Sequence, residues 1–189
     1  MVDKVKEDLK QVKALKEKSR CLHTREEVQA AIDRVAQAMN QQLVDQAPVF
    51  MCVMNGAVVF MGELITRLTF PLQINYIHAT RYQGEIEGRE LFWQAEPTIP
   101  VEGRVIVIVE DILDSGLTLA AVKEYCTKHG ASKIYTAALV DKQRTREPGG
   151  VEKCDFTGLE VENKFLYGYG LDYKDFLRNE PGIFALEDE

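Results

Sequence analysis

The residues best suited to chemistry lie in one stretch, residues 105–118 (VIVIVEDILDSGLT). Five consecutive isoleucines and valines at 105–109 predict a buried strand. This strand runs into the adjacent carboxylates of Glu110 and Asp111, and then into Asp-Ser-Gly before a helix-like segment. Because ligands of open α/β sheets collect outside the carboxyl ends of the strands, this junction is the candidate functional site.

The turn after this strand carries the groups that bind a phosphate. Residues 114–118 offer consecutive backbone amides, two hydroxyls and the N-terminus of the next helix. Gly116 allows the backbone to approach a ligand closely. Just upstream, Glu110 and Asp111 can accept hydrogen bonds from sugar hydroxyls or hold magnesium through water. Determinants for a phosphate, a sugar and a metal therefore occur together.

Two other interpretations of these acids are open. The acids could cap the helix and favour its positive end, or they could form the acidic pocket of a response-regulator receiver domain. A cap needs only one acid, and three acids at one junction repel one another unless a cation or hydroxyls engage them. A receiver domain would place its acidic pair near the first strand of a shorter chain. The pattern therefore favours a ligand site.

The surrounding segments alternate between strands and helices, which is typical of a parallel sheet covered on both faces. Apolar runs predict strands at 49–54, 73–80, 105–109, 134–140 and 165–169, with a possible short edge strand at 183–186. Helix-like periodicity follows at 58–68 and at 117–129, where Gly130 closes the helix. Residues 82–100 are polar and rich in breakers, with Trp93 in a hairpin-like stretch, and such a long irregular segment is either functional or poorly ordered.

The N-terminal segment, residues 1–44, is expected to be a helical arm. Residues 1–20 carry 7 basic and 4 acidic side chains and predict a solvated amphipathic helix or a subunit contact. Thr24 and Glu27 then form a capping box at the start of a second helix. The predicted apolar face of that helix consists of Val28, Ala31, Ile32, Val35, Ala38 and Met39.

Composition indicates one domain of a soluble protein. The chain has 189 residues and a net charge of −7, with 46% hydrophobic and 28% charged residues. No apolar run reaches the roughly 20 residues that cross a bilayer, and the N-terminus does not look like a secretory signal. An acidic chain is a poor nucleic-acid binder. Four scattered cysteines and three scattered histidines indicate neither zinc nor disulfides, so we expect a cytoplasmic protein without membrane or nucleic-acid partners.

Residues 105–118 resemble the signature of type I phosphoribosyltransferases, and residues 45–186 as a whole resemble the hypoxanthine/guanine phosphoribosyltransferase family. The resemblance implies an α/β fold, with a parallel twisted sheet flanked by helices and a small base-binding hood at 165–189. It implies purine salvage, in which phosphoribosyl pyrophosphate and a 6-oxopurine, hypoxanthine or guanine, give IMP or GMP plus pyrophosphate with Mg²⁺. It also implies a homodimer or homotetramer.

The resemblance assigns roles to the central stretch. Glu110 and Asp111 correspond to the acidic pair beside the ribose hydroxyls and the metal, and Asp114 to the catalytic acid that acts at purine N7. The cradle of the 5-phosphate corresponds to Ser115, Gly116, Leu117 and Thr118.

Downstream residues correspond to the parts of the family site that bind the base and pyrophosphate. Lys142 matches the lysine at the purine 6-oxo group, where a cation finds an acceptor that a 6-amino group does not offer. Phe165 would stack on the purine, and the Leu166 backbone would contact the ring edge. Asp172 would bind magnesium, and Arg178 would meet pyrophosphate. Without the resemblance, these side chains would be a surface lysine, a core aromatic residue and a surface ion pair.

Two departures from the family concern pyrophosphate. Asn55 stands where the family usually has a basic residue, so that contacts from Asn55 and Gly56 would use amide groups. In the family this loop often holds a cis non-proline peptide bond, and we predict such a bond between Met54 and Asn55. The mobile active-site loop of the family, which corresponds to residues 82–100, usually carries Ser-Tyr at its start, whereas this chain has Arg81 and Tyr82. We therefore hypothesise that Arg81 replaces the missing charge near pyrophosphate.

Two alternatives to a hypoxanthine/guanine enzyme are open. Some proteins of this fold are regulators that bind nucleotides and nucleic acid without catalysis. That function needs a basic face, and only the N-terminal segment of this chain offers one. A xanthine- or adenine-specific phosphoribosyltransferase is the second alternative.

Overall fold

The computed structural model describes residues 2–81 and 91–187. Within these residues the chain forms four helices and nine strands, and none of the helices is long and apolar enough to cross a membrane. In chain order the elements are α1 (Val2–Glu17), β1 (Ser19–His23), α2 (Arg25–Gln42), β2 (Val49–Val53), α3 (Val58–Ile65), β3 (Gln73–Arg81), β4 (Leu91–Ala95), β5 (Val105–Leu113), α4 (Leu117–Lys128), β6 (Lys133–Gln143), β7 (Phe156–Glu162), β8 (Leu166–Tyr167) and β9 (Ile183–Leu186).

The larger sheet has six strands in the order β4-β3-β2-β5-β6-β7. Its strand pairs are parallel except for β3–β4. On the central strand β5, Val107 and Val109 pack into the core that includes α2 and α3, whereas Ile106 and Ile108 pack against α4. This burial on both faces is the reason that the strand is a continuous apolar run. The predicted α/β fold class is confirmed.

Helix α2 begins at the predicted capping box. The Thr24 hydroxyl accepts from the Glu27 amide at 3.3 Å, and the Glu27 carboxylate accepts from the Thr24 amide at 2.8 Å. The buried face differs from the prediction at one position, since Ala36 is buried and Ala38 is exposed. Both alanines lie about 80° from Val28 on opposite sides of the apolar stripe. The neighbouring elements, rather than the helical period, therefore decide which one is covered.

A second, smaller sheet, the hood sheet, consists of β1, β9 and β8 in that order, all antiparallel. Residues 19–23 are thus a strand, although residues 1–44 are expected to be helical. Likewise β9 is the central strand of this sheet and not an edge. The five residues of β1 have no apolar periodicity that predicts a strand. The strand that pairs with β1 lies at the other end of the chain.

Helix α1 packs on the hood sheet of its own chain. Val12 is buried in a cluster with Tyr167 and Leu177. At the edge of this cluster, the ammonium of Lys16 lies 2.6 Å from the Glu180 carboxylate. The helix is therefore attached to the region that the family resemblance assigns to base binding.

In the six-stranded sheet, three strands differ most from the sequence expectation. β5 continues from residue 109 to Leu113, so that the acid pair lies inside the strand. β4 occupies 91–95 of the expected loop and pairs with β3, while residues 82–90 lie outside the described part of the chain. β7 has no predicted counterpart, because its alternating acids and a glycine give little apolar signal at this edge of the sheet.

Candidate active site

The carboxyl ends of β2 and β5 open into a cavity of about 530 Å³. The geometry follows from the parallel pairing of these strands, which brings their carboxyl ends to one edge of the sheet. Nine residues predicted for the site line this cavity: Asn55, Gly56, Glu110, Asp111, Asp114, Ser115, Gly116, Thr118 and Arg178.

The acid pair at the end of β5 is buried. Glu110 is 7% exposed and Asp111 is 9% exposed. Burial raises the pKa of Glu110, and the neighbouring carboxylate of Asp111 adds to this rise. Burial also raises the pKa of Asp111, and the hydrogen bond from the Ile112 amide at 2.8 Å and the charge of Arg178 offset only part of this rise. Both side chains therefore favour a cation or a hydroxyl donor as a ligand.

The turn between β5 and α4 places the start of the helix at the cavity. Gly116, the N-cap residue, has φ +78° and no side chain of its own to cap the helix, while the Ser115 hydroxyl accepts from the Leu117 amide at 3.4 Å. A methyl group on Gly116 would lie 2.5 Å from the Val151 carbonyl oxygen, so only glycine fits this close approach. The first amides of an α-helix have no partner within the helix. The turn can therefore present them to an anion.

Asp114 forms two ion pairs in the cavity wall. Its Oδ2 lies 3.5 Å from Nζ of Lys142, and its Oδ1 lies 3.0 Å from Nη1 of Arg144. Lys142 therefore reaches the predicted catalytic acid. The contact with Arg144 was not expected from the sequence.

Arg146 joins the ends of β5 and β6. This side chain is 6% exposed and forms an ion pair with Asp141. Its Nη1 donates to the carbonyl oxygens of Leu113, Asp114 and Lys142 at 3.1, 2.9 and 2.6 Å. One buried guanidinium thus holds the backbone on both sides of the Asp114–Lys142 pair.

The loop after β2 forms the opposite wall of the cavity. The Met54–Asn55 peptide bond is cis, which confirms that prediction. Gly56 lies against the acid pair, since a methyl group on it would lie 1.8 Å from Oδ2 of Asp111. The absence of a side chain at position 56 lets the loop approach the carboxylate.

Arg178 enters the cavity from the segment between β8 and β9. Its guanidinium donates to the Gly170 carbonyl oxygen at 2.8 Å and lies 2.8 Å from the Asp172 carboxylate and 3.0 Å from that of Asp175. Asp172 does not line the cavity itself, but its carboxylate contacts Arg178, which does. Arg178 is therefore oriented by the hood segment before any ligand binds.

The remaining predicted residues either do not line the cavity or lie outside the residues that the structure describes. Phe165 is 43% exposed, with its ring edge-on to Tyr173 at a centroid distance of 5.7 Å, and Leu166 is buried in β8. Leu117 is the first residue of α4 and does not line the cavity. Tyr82 and the side chain of Arg81 lie outside the described residues.

Three residues near the site were not predicted from the sequence: Arg144 and Glu147, which line the cavity, and Arg146. One signal is present, since basic residues alternate at positions 142, 144 and 146 directly after a buried strand. Successive strand residues point to opposite sides, so alternate residues share one side. The chain leaves β6 at Gln143, however, and only its path beyond that residue brings Arg144 and Arg146 to Asp114.

The predicted metal ligands are not gathered into one set. Within the described residues, no three histidine, cysteine, aspartate or glutamate side chains are grouped to hold a metal ion. Asp172 pairs with Arg178 instead. The buried oxygens of Glu110 and Asp111 nevertheless fit Mg²⁺, which typically uses one or two protein carboxylates with water and substrate phosphates.

Comparison with known proteins identifies the family. The family model for the phosphoribosyl transferase domain matches residues 21–174. The chain belongs to the phosphoribosyltransferase family. It is 34% identical over 167 residues to the hypoxanthine-guanine phosphoribosyltransferase of Bacillus subtilis, a match that covers 88% of this chain and 92% of the relative.

Two further relatives agree with this assignment. This phosphoribosyltransferase is 31% identical over 169 residues to the hypoxanthine-guanine-xanthine phosphoribosyltransferase of Tritrichomonas foetus, which covers 89% of this chain and 92% of that protein. The crystal structure of a hypoxanthine phosphoribosyltransferase from Staphylococcus aureus matches with a TM-score of 0.82 and 26% identity, over 89% of this chain and 91% of the other. The predicted family is therefore confirmed.

Proposed function

We propose that this phosphoribosyltransferase acts in purine salvage. It transfers the 5-phosphoribosyl group of phosphoribosyl pyrophosphate to N9 of hypoxanthine or guanine, giving IMP or GMP and releasing pyrophosphate. The observation that carries the proposal is a single cavity in which a helix N-terminus with a glycine N-cap adjoins a buried acid pair and a lysine-paired aspartate. The named activities of the relatives support the same base specificity.

The phosphoribosyl group would lie between the turn and the acid pair. The amides and hydroxyls of residues 115–118 would bind the 5-phosphate, with Leu117 contributing its backbone. Glu110 and Asp111 would accept hydrogen bonds from the ribose hydroxyls, which compensates for the burial of both carboxylates.

The purine would lie beside Asp114. Lys142 would donate to the 6-oxo group, and the exposed ring of Phe165 would stack on the base. The Leu166 backbone would contact the ring edge. A 6-amino group has no strong acceptor for the lysine, so adenine would be rejected.

Pyrophosphate would lie between the loop after β2 and the hood segment. Arg178 would neutralise its negative charge, and Asn55 and Gly56 would contact it through amide groups. Arg81 and Tyr82 are proposed to approach it from the end of β3. Residues 82–100 would cover the reacting groups and exclude water.

Glu110, Asp111 and Asp172 are the carboxylates that would hold Mg²⁺ together with water and substrate oxygens. When bound, Mg²⁺ offsets the charge of the pyrophosphate group. In the transfer itself, N9 of the purine donates an electron pair to the anomeric carbon, and the bond from that carbon to the pyrophosphate oxygen breaks with its electron pair on oxygen. Asp114 would accept the proton that the base loses at N7.

A turnover assay with four bases tests the proposal. Hypoxanthine, guanine, xanthine and adenine are each incubated with phosphoribosyl pyrophosphate and Mg²⁺, and nucleotide formation is measured. We expect turnover with hypoxanthine and guanine and none with adenine. Turnover with xanthine would extend the specificity in the direction of the Tritrichomonas foetus relative. Nucleotide binding without turnover of any base would contradict an enzyme and favour a regulator.

We also propose that the protein assembles into homodimers or homotetramers through an apolar groove. A groove of about 350 Å³ between α3 and β3 includes three half-exposed apolar side chains, Val58, Ile74 and Tyr76. Exposed apolar patches of this kind mark protein interfaces. Met54 lines both this groove and the catalytic cavity, so a second subunit bound here would contact the loop after β2.

The proposed location is the cytoplasm. The four cysteines, Cys21, Cys52, Cys126 and Cys154, are free, as is usual in a reducing compartment.

A further inference from the structure

Arg144 is a cation of the cavity to which the proposed function assigns no role. The described lining contains four carboxylates and two guanidiniums, those of Glu110, Asp111, Asp114, Glu147, Arg144 and Arg178. Arg178 is already held by the hood segment. A cavity that binds a polyanion needs more positive charge than one arginine gives, and Arg144 is positioned to supply it.

Arg144 lies beside the turn at residues 115–118, which we call the phosphate turn. Its Nη1 lies 3.0 Å from Oδ1 of Asp114, the residue that immediately precedes the turn. Ser115, Gly116 and Thr118 line the same cavity. The Arg144 side chain is 34% exposed, and its Nε donates to the Thr145 carbonyl oxygen at 3.3 Å. Because the side chain is partly exposed and shares the cavity lining with the turn, we expect a rotamer change to carry the guanidinium from Asp114 to the turn.

The loss of this contact would leave Asp114 with a partner. Nζ of Lys142 lies 3.5 Å from Oδ2, the other oxygen of the same carboxylate. A phosphate in the turn offers a guanidinium two acceptor oxygens and a larger negative charge than the shared carboxylate does. It is therefore favourable for Arg144 to exchange Asp114 for the phosphate. The exchange leaves the Asp114 carboxylate paired with Lys142.

We propose that Arg144 is a ligand of the 5-phosphate and an exchangeable partner of Asp114. This inference rests on the proposed function. When a phosphate occupies the turn, Arg144 binds it and releases Oδ1 of Asp114, which can then accept the hydrogen bond from the N7–H group of the free purine base. Binding at the phosphate turn thus prepares the carboxylate that the base needs.

The experiment compares ligands that differ only in the phosphate. IMP and inosine are titrated calorimetrically into the wild-type protein and into Arg144→Gln, without divalent metal. We expect Arg144→Gln to weaken IMP binding by at least about tenfold, since a charge-assisted hydrogen bond to phosphate is lost. Inosine binding should not weaken, because inosine carries no phosphate for Arg144 to bind.

Two further variants complete the design. Arg144→Lys retains the charge without the planar fork, and we expect an intermediate loss of IMP affinity; it also carries the comparison if the glutamine variant does not fold. Arg104→Gln is the matched control. Arg104 precedes β5 at the opposite end of the strand and donates to the Ala47 carbonyl oxygen at 3.1 Å. Its substitution should leave both affinities unchanged.

The possible failures are distinguishable. If Arg144→Gln binds IMP as tightly as the wild type does, or loses IMP and inosine affinity by the same factor, the role of Arg144 is overturned and the proposed function stands. If the wild-type protein binds neither IMP nor GMP and turns over no base, the proposed function fails, and with it this inference.

Discussion

At the scale of single residues, Asp114 is the centre of the candidate site. The local pattern of a strand followed by acids identifies it, but its chemistry depends on Lys142 and Arg144, which contact its two oxygens. Both contacts hold the carboxylate in the cavity wall. A carboxylate beside the base can accept a proton, which is the role that the proposed reaction requires.

Replacement of Asp114 by asparagine tests that role. We expect Asp114→Asn to lower kcat with hypoxanthine by about 10²-fold, the usual contribution of a general base, because an amide cannot accept the proton. The KM for phosphoribosyl pyrophosphate should change much less. Steady-state kinetics measure both values, and Asp45→Asn at an exposed position after α2 is the control. An unchanged kcat would exclude Asp114 as the base.

At the scale of elements, hydrogen-bonded side chains connect the hood to the helices under the cavity. Glu63 of α3 accepts from Gln29 of α2 at 2.7 Å, from Arg67 at 3.1 Å and from the Tyr169 hydroxyl at 3.1 Å. Partial burial acts to raise the pKa of Glu63, but the hydrogen bonds from these three partners outweigh it, so that the pKa lies below its ordinary value of 4.5. The ionised form of Glu63 therefore stabilises the fold.

The stabilisation by Glu63 depends on pH with a defined sign. A carboxyl whose pKa is lower in the folded state stabilises the protein above its unfolded pKa, and this effect is lost as pH falls through the folded value. We expect Glu63→Gln to lower the free energy of unfolding by about 1–2 kcal/mol at pH 7, with the difference shrinking below the ordinary pKa of 4.5.

Denaturant unfolding at several pH values measures this difference. Glu124→Gln is the matched control, because Glu124 forms an exposed pair with Lys128 that contributes little. An effect of Glu63→Gln that is the same at pH 3.5 and pH 7 would contradict the assigned role.

At the scale of the whole molecule, two sheets surround one site. The six-stranded sheet supplies the acid pair, the turn at residues 115–118 and Lys142, while the hood sheet and its adjoining segment supply Phe165 and Arg178. The apolar groove shares Met54 with the lining of this site. Assembly and activity are therefore expected to be coupled.

The mass of the protein in solution tests this coupling. Light scattering after size exclusion should give two or four times the mass of one chain. Ile74→Glu places a charge at a position that is 53% exposed within the groove, and it should shift the protein towards the monomer and lower kcat. Glu124→Gln, on α4 and outside the groove lining, is expected to change neither value. A wild-type monomer that is fully active would contradict the proposed assembly.

The parts of the site that are formed by neighbouring residues in the chain could be predicted from the sequence alone. The apolar run of β5, the acid pair and the turn at Gly116 lie next to one another in the chain, and their local chemistry has one main structural outcome. The capping box at Thr24 was predictable for the same reason. The family resemblance extended this prediction to Lys142 and Arg178.

The contacts between residues that are distant in the sequence depend on the complete fold. Arg144 pairs with Asp114 across 30 positions of sequence, and Arg146 joins two strand ends that no local pattern connects. Residues 19–23 form β1 because their backbone pairs with one edge of β9. These features depend on the path of the chain after each strand ends, and the energy of such contacts exists only when the whole fold brings the partners together.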